Sequence, residues 1–245
     1  MENEKKIGHL HPLTIVIDEI TNFFLNWGFS IVRGPEKEDE WHNFEALNVP
    51  ADHPARDMQD TFWLLPLEER KLLRTHTSPV QIRYMKKNKP PFRIISPGRV
   101  FRNEATDATH ESQFYQMEGL MIDKQVTLAN LKGILEEFCK EIFGPKTAIR
   151  IRPSFFPFVE PGLEIDISCF KCLGQGCSLC KNSGWIEIMG AGMVHPNVLK
   201  AVKIDSNDWR GFAFGLGPDR IAMIKYGLDD IRLLYGGDLR FNEQF

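Results

Sequence analysis

Two short segments gather charge and an aromatic ring in a pattern that a hydrophobic core would not tolerate. Arg102-Asn103-Glu104 closes one strand-like run, and Phe114-Tyr115-Gln116-Met117-Glu118 opens the next. Side chains alternate along a strand, so Arg102 shares a face with Glu104, and Phe114 shares one with Gln116 and Glu118. If the strands pair, one face carries a cation, a ring, an amide and two carboxylates. Such a face is a floor for a zwitterion and a nucleotide. The plain alternative is a solvated face with incidental ion pairs.

A second cation stands at a turn. Gly215-Leu216-Gly217-Pro218-Asp219-Arg220 follows the apolar run Gly211-Phe212-Ala213-Phe214. As a dinucleotide fingerprint it fails, because the third glycine is absent and no βαβ unit surrounds it. As a strand-to-helix turn it works: Pro218 starts the helix and Arg220 projects from its first turn. A cation there opposes the helix dipole, which a bound anion or ring would relieve. His76 and Ser78 lie two apart in an extended stretch, and Ser78 also suits a helix cap. Phe156 and Phe158 flank Pro157, as core packing or as the wall of an aromatic pocket. Glu160, between Val159 and Pro161, calls for a charged partner or a metal.

Four of the five cysteines follow the pattern Cys169-x2-Cys172-x4-Cys177-x2-Cys180. Four thiolates at this spacing suit a closed, structural tetrahedral zinc site. Two disulfides are the alternative, disfavoured in a reducing compartment. The flanks, Glu164 to Ser168 and Trp185 to Met189, read as a hairpin whose tip the metal would staple.

These groups need elements to hold them. Helices are expected over His11 to Trp27, Glu38 to Leu47, Ser78 to Lys87, Leu128 to Phe143 and Pro218 to Tyr226. Strands are expected at Ser30 to Val32, Thr61 to Leu65, Leu72 to Thr75, Phe92 to Asn103 and Phe114 to Ile122, and they dominate from Ile149 to Pro218. The stretch from Asp52 to Asp57 reads as a loop, and another loop runs from Ala105 to Gln113. Strands follow one another in hairpins, so the sheet should be largely antiparallel and the class α+β.

With 245 residues, one domain over residues 1–245 is expected, carrying the cysteine insertion over 169–180. No apolar run approaches the length of a membrane span. Met1 to Lys6 lack the apolar core of a secretory signal, so the cytoplasm is the default. A net charge of -3 lacks the basic excess of a dedicated nucleic-acid binder. The one concentrated basic patch, Arg83 to Arg93, reads as a solvated helix end.

Taken together, these residues resemble a class II aminoacyl-tRNA synthetase. Pro35 with its upstream helix resembles motif 1, Phe101 to Glu104 with Phe114 to Glu118 motif 2, and Gly215 to Arg220 motif 3. More narrowly, the chain resembles the family of bacterial phenylalanyl-tRNA synthetase alpha chains, over its catalytic domain and without their N-terminal helical arm. The matching stretches are His53 to Asp57, Arg74 to Pro79, Phe156 to Phe158, Gly192 to Pro196 and Gly211 to Gly215.

That resemblance implies a central antiparallel sheet flanked by helices, and the ligation of phenylalanine to tRNA(Phe) through an adenylate made from ATP. Arg102 would hold the α-phosphate and His110 the outer phosphates, with Glu104 in the same nucleotide site. Phe114 and Arg220 would sandwich the adenine. Gln116, Glu118, His76 and Ser78 would fix the ammonium and carboxylate of phenylalanine. Phe156 and Phe158 would grip its ring, with Val159 and Ala213 at the far end. Glu160 would share magnesium with a partner beta chain in an α2β2 assembly. Asp219 stands where a glutamate is commonest, and the cysteine cluster resembles an insertion found in some members. A ligase for another acid and a non-catalytic synthetase-like binding protein are the alternatives.

Overall fold

The computed structural model describes residues 8–56, 61–178 and 180–245. The expectations placed on Met1 to Lys6 and on Asp57 lie outside the described residues.

Seven strands form the main sheet: β1 (Ser30–Ile31), β4 (Phe92–Phe101), β5 (Gln113–Asp123), β6 (Ile149–Phe156), β7 (Val159–Ser168), β8 (Trp185–Val194) and β9 (Arg210–Leu216). Their order is β1-β4-β5-β9-β8-β7-β6. Among the described strands of this sheet only β1 with β4 is parallel; the other pairs are antiparallel. A separate ribbon joins β2 (Lys37–Asp39) to β3 (Lys71–Leu73). The helices are α1 (Pro12–Asn26), α2 (Glu40–Asn43), α3 (Pro79–Met85), α4 (Leu128–Phe143), α5 (Pro196–Ala201), α6 (Pro218–Tyr226) and α7 (Leu239–Asn242).

Period-two alternation decides which face of the sheet does what. On β9, Phe212 and Phe214 point to the back, into the core under α1, α4 and α6, while Ala213 points to the front. The Phe24 ring stacks on Phe138 at 5.3 Å and on Phe214 at 4.9 Å between centroids, knitting both helices to the sheet. Each fully buried ring of this kind contributes about 1.5–3 kcal/mol of transfer free energy. Gly119 on β5 accepts this packing because the Phe214 ring lies where its Cβ would be, at 2.0 Å. With the back face this solid, the front is free to open.

Some elements differ from expectation for local reasons. The single helix expected from Glu38 to Leu47 is split into β2, α2 and a 3-10 turn at Glu45–Leu47. Asp39 caps α2 by accepting the His42 N–H at 2.9 Å, so the helix cannot begin earlier. Glu38 is turned inward, where Arg83 donates to both its oxygens at 2.7 and 2.5 Å. Of the strand expected from Thr61 to Leu65, only a bridge between Trp63 and Leu72 forms. In the Asp52 loop, Pro54–Arg56 makes a 3-10 turn. Helix α5 was not expected; His195 caps it, Nδ1 accepting the Asn197 N–H at 3.0 Å.

Candidate active site

The main cleft opens on the front face, over β5, β8 and β9, with a volume of about 840 Å³. His76, Ser78, Gln116, Glu118, Phe156, Phe158, Val159 and Ala213 all line it, as does Arg102. A smaller cavity of about 230 Å³ is lined by Arg102, Glu104, His110, Phe114, Asp219 and Arg220. Apart from Glu160 and the cysteines, the sequence-predicted residues thus divide into two groups, and among the described residues only Arg102 lines both cavities.

The segment from Arg74 to Ser78 is pinned across the ends of two strands. The Phe101 N–H donates to the Arg74 carbonyl at 2.9 Å, and Arg102 Nε donates to the Thr75 carbonyl at 3.2 Å. From the other side, the Thr77 N–H donates to Gln116 Oε1 at 3.3 Å. Strand β4 ends at Phe101, so Arg102 and Glu104 lie beyond the regular alternation; they nevertheless reach the same small cavity. Burial pushes the Arg102 guanidinium below its ordinary pKa, the Glu104 carboxylate acting against that, and no salt bridge within 4.0 Å is found for it among the described residues. Its Cζ lies 5.0 Å from the centre of the Phe114 ring.

Glu118 projects from β5 into the cleft floor and is buried. It accepts from Ser78 Oγ at 3.0 Å, from Gln81 Nε2, and from Thr77 Oγ1 at 3.5 Å. Ser78 was expected to cap α3, and its hydroxyl serves the carboxylate instead. Burial pushes the Glu118 carboxyl up to about 7, against those three donors. All its partners are neutral, so a cation brought into the cleft would find an uncompensated carboxylate. His76 is buried too, and burial pushes its imidazole down to about 3, with Arg102 adding to the effect. It therefore stands neutral, with Nδ1 buried and without a hydrogen-bond partner among the described residues.

The aromatic wall comes from the tight turn between β6 and β7. Phe156 and Phe158 have ring centres 6.1 Å apart and planes 23° apart. Gly190 on β8 lies beneath Phe156: a Cβ there would meet the ring at 2.9 Å. Val159 and Ala213 are buried and line the same cleft.

Arg220 leaves the first turn of α6, exposed, with Nε donating to the Glu187 carbonyl at 2.8 Å. His110 sits on the exposed β4–β5 loop, its Nδ1 2.9 Å from Asp107, whose carboxyl this bond holds well below the usual range. Glu160, expected to be enclosed, is exposed at the start of β7 and lies outside both cavities.

The cysteines meet at the tip of the β7–β8 hairpin, which closes at Ser168 and Trp185. Their Sγ atoms lie within 4.8 Å of one another, with close pairs at 3.7, 3.8 and 3.8 Å. A tetrahedral ion with bonds of about 2.3 Å has ligand-to-ligand edges of about 3.8 Å, so the cluster fits zinc. All four thiols are free, not paired as disulfides. The Gly176 and Cys177 N–H groups donate to Cys172 and Cys180 sulfurs at 3.1 and 3.2 Å.

Sequence reading missed the supporting side chains. Gln81 carries no signal beyond a polar residue on a helix, and Tyr235 carries none. Asp219 was noticed only as an acid beside Arg220.

Comparison with known proteins gives consistent results. The family described as tRNA synthetases class II core domain (F) matches residues 1–245. The Phenylalanine–tRNA ligase alpha subunit of Caldanaerobacter subterraneus subsp. tengcongensis is 59% identical over 240 residues, covering 98% of this chain and 70% of that protein. The protein of the same name from Geobacillus thermodenitrificans is 56% identical over 242 residues, with coverage of 98% and 70%. Among solved structures, pyrrolysyl-tRNA synthetase from Desulfitobacterium hafniense matches with a TM-score of 0.68 at 16% identity, over 94% of this chain and 75% of that one. This last likeness concerns the fold.

Proposed function

This chain belongs to the family of class II tRNA synthetase core domains, and from that premise we propose that it is the alpha chain of a phenylalanine–tRNA ligase. It activates phenylalanine with ATP and transfers it to tRNA(Phe). Neither a ligase for another acid nor a non-catalytic binding protein is favoured.

The observation that carries the reading is the place of Arg102, where an apolar, carboxylate-floored cleft meets a ring-and-cation cavity. An amino acid in the first and a nucleotide in the second would bring carboxylate and α-phosphate together at that guanidinium. The carboxylate is already a nucleophile, so the first step needs no general base. One carboxylate oxygen bonds to the α-phosphorus as pyrophosphate leaves. Arg102 stabilises charge on the α-phosphate, and the cleft supplies alignment. A terminal ribose hydroxyl of tRNA then attacks the adenylate carbonyl and AMP departs.

In this reading Glu118 takes the ammonium of phenylalanine, with Gln116, His76 and Ser78 completing the polar end. Phe156 and Phe158 grip the ring edge-on. Val159 and Ala213 bound its para position. Phe114 and Arg220 enclose the adenine, where the planar guanidinium suits stacking. Glu104 completes the nucleotide site, and the exposed His110 meets the outer phosphates. Magnesium, when bound, would draw charge from the phosphates; exposed Glu160 would share such an ion with a beta chain in an α2β2 assembly. Cys169, Cys172, Cys177 and Cys180 would hold a structural zinc with no open position.

Phenylalanine-dependent exchange of pyrophosphate into ATP, measured with the beta chain present, is the direct test; exchange is expected, and none would overturn the reading. Glu118→Gln should raise the KM for phenylalanine about 10- to 100-fold, the worth of a hydrogen bond to a charged group. Burial pushes the Glu118 carboxyl up to about 7, and only its charged form attracts an ammonium. Phenylalanine affinity in calorimetry should therefore fall as pH drops from about 8 to about 6, and the Gln variant should lose this slope. Metal analysis of reductively purified protein should find zinc, lost in Cys180→Ser; zinc-free parent protein would contradict the site.

A further inference from the structure

Strand β9 stops pairing with β5 at Met117 and Leu216. Beyond that point the Tyr115 N–H has no strand partner on that side, and the Asp219 carboxylate accepts it at 2.8 Å. The other Asp219 oxygen accepts the Tyr235 hydroxyl. Asp219 is 2% exposed, although it sits in the first turn of a helix. Its burial serves those two bonds, and the helix dipole favours its charge there.

The neighbours of these residues give the arrangement its meaning. Tyr115 follows Phe114 on β5, and Asp219 precedes Arg220 on α6. The carboxylate-to-backbone bond therefore ties the residues beside the two walls of the small cavity. Tyr235 arrives from the 3-10 turn Ile231–Leu234, whose Ile231 also lines that cavity. The same turn is fastened to the β4–β5 loop, where the Ile231 N–H donates to the Ala108 carbonyl at 2.9 Å. The gap between Phe114 and Arg220 is thus held at three points by groups that need not touch a ligand.

We propose that Asp219 and Tyr235 are positioning residues for the nucleotide: the Tyr235–Asp219–Tyr115 relay sets the spacing between Phe114 and Arg220 that admits a purine ring. The inference rests on the nucleotide assignment under Proposed function. An arginine on an exposed helix start has wide rotamer freedom, and a ring held between two walls binds well only when their separation is fixed beforehand. An anchored carboxylate one residue away fixes the backbone from which Arg220 springs. The phenylalanine cleft lies on the far side of Arg102 and contains neither residue.

Tyr235→Phe removes one hydroxyl and keeps the ring, so packing survives while the relay is cut. In the assembled enzyme, the KM for ATP in pyrophosphate exchange should rise about tenfold, as expected for one hydrogen bond to a charged group. The KM for phenylalanine should stay within about twofold, and the melting temperature should remain near that of the parent. Asp219→Glu should retain more ATP affinity than Asp219→Asn, because the charge and both acceptors remain. Unchanged ATP KM in Tyr235→Phe, or parallel rises in both KM values, would overturn the proposal. Calorimetric titration with ATP alone gives the same comparison without turnover. If the parent binds ATP yet shows no phenylalanine-dependent exchange, the substrate reading fails while the relay is still tested.

Discussion

A half-buried guanidinium that forms no salt bridge among the described residues, with the Glu104 carboxylate acting on it only at longer range, is the constraint around which the front of this molecule is arranged. Arg102 is held by a carbonyl, that of Thr75, and lies beside the Phe114 ring. Its burial disfavours the charge, and an anion entering the site restores what water would have given. The segment from Arg74 to Ser78, expected to be extended, bends after β3 ends at Leu73, and it is held in that course because Phe101, Arg102 and Gln116 each bond to it. The same segment delivers His76 and Ser78 to the cleft. One stitched crossing therefore places the cation, the neutral imidazole and a donor to Glu118 together.

The sheet makes this arrangement rigid by dividing labour between its faces. On the back, Phe24, Phe138 and Phe214 stack into a core that leaves little freedom to the strands. On the front, small residues such as Gly190 and Ala213 leave room that Phe156 and Phe158 close from the side. Buried Glu118 surrounded by neutral donors and buried neutral His76 are costly to the fold on their own. Such costs are commonly retained where a ligand offsets them.

Much of this was legible in the sequence. Alternation along β5 put Phe114, Gln116 and Glu118 on one face, and the structure places all three on the front. The helices from Pro12, Leu128 and Pro218 were legible from periodicity, proline and cap residues. Long-range partners were not. Ser78 looked like a cap because local sequence cannot show that Glu118 lies opposite it. Glu160 looked enclosed by its apolar neighbours, yet it lies exposed where β7 begins. Helix α5 hid behind a histidine cap, and the split of the Glu38 helix followed from an ion pair with Arg83, forty-five residues on. Tyr235 shows the limit most clearly, since nothing near it in sequence points to Asp219.

The claim that Arg102 joins two half-sites is tested most directly by replacing it. In Arg102→Ala, with the beta chain present, phenylalanine binding by calorimetry should stay within about threefold of the parent. Pyrophosphate exchange should fall by about a thousandfold or more, as when a principal charge-stabilising donor is removed. Near-normal exchange, or loss of phenylalanine binding in step with exchange, would contradict the account.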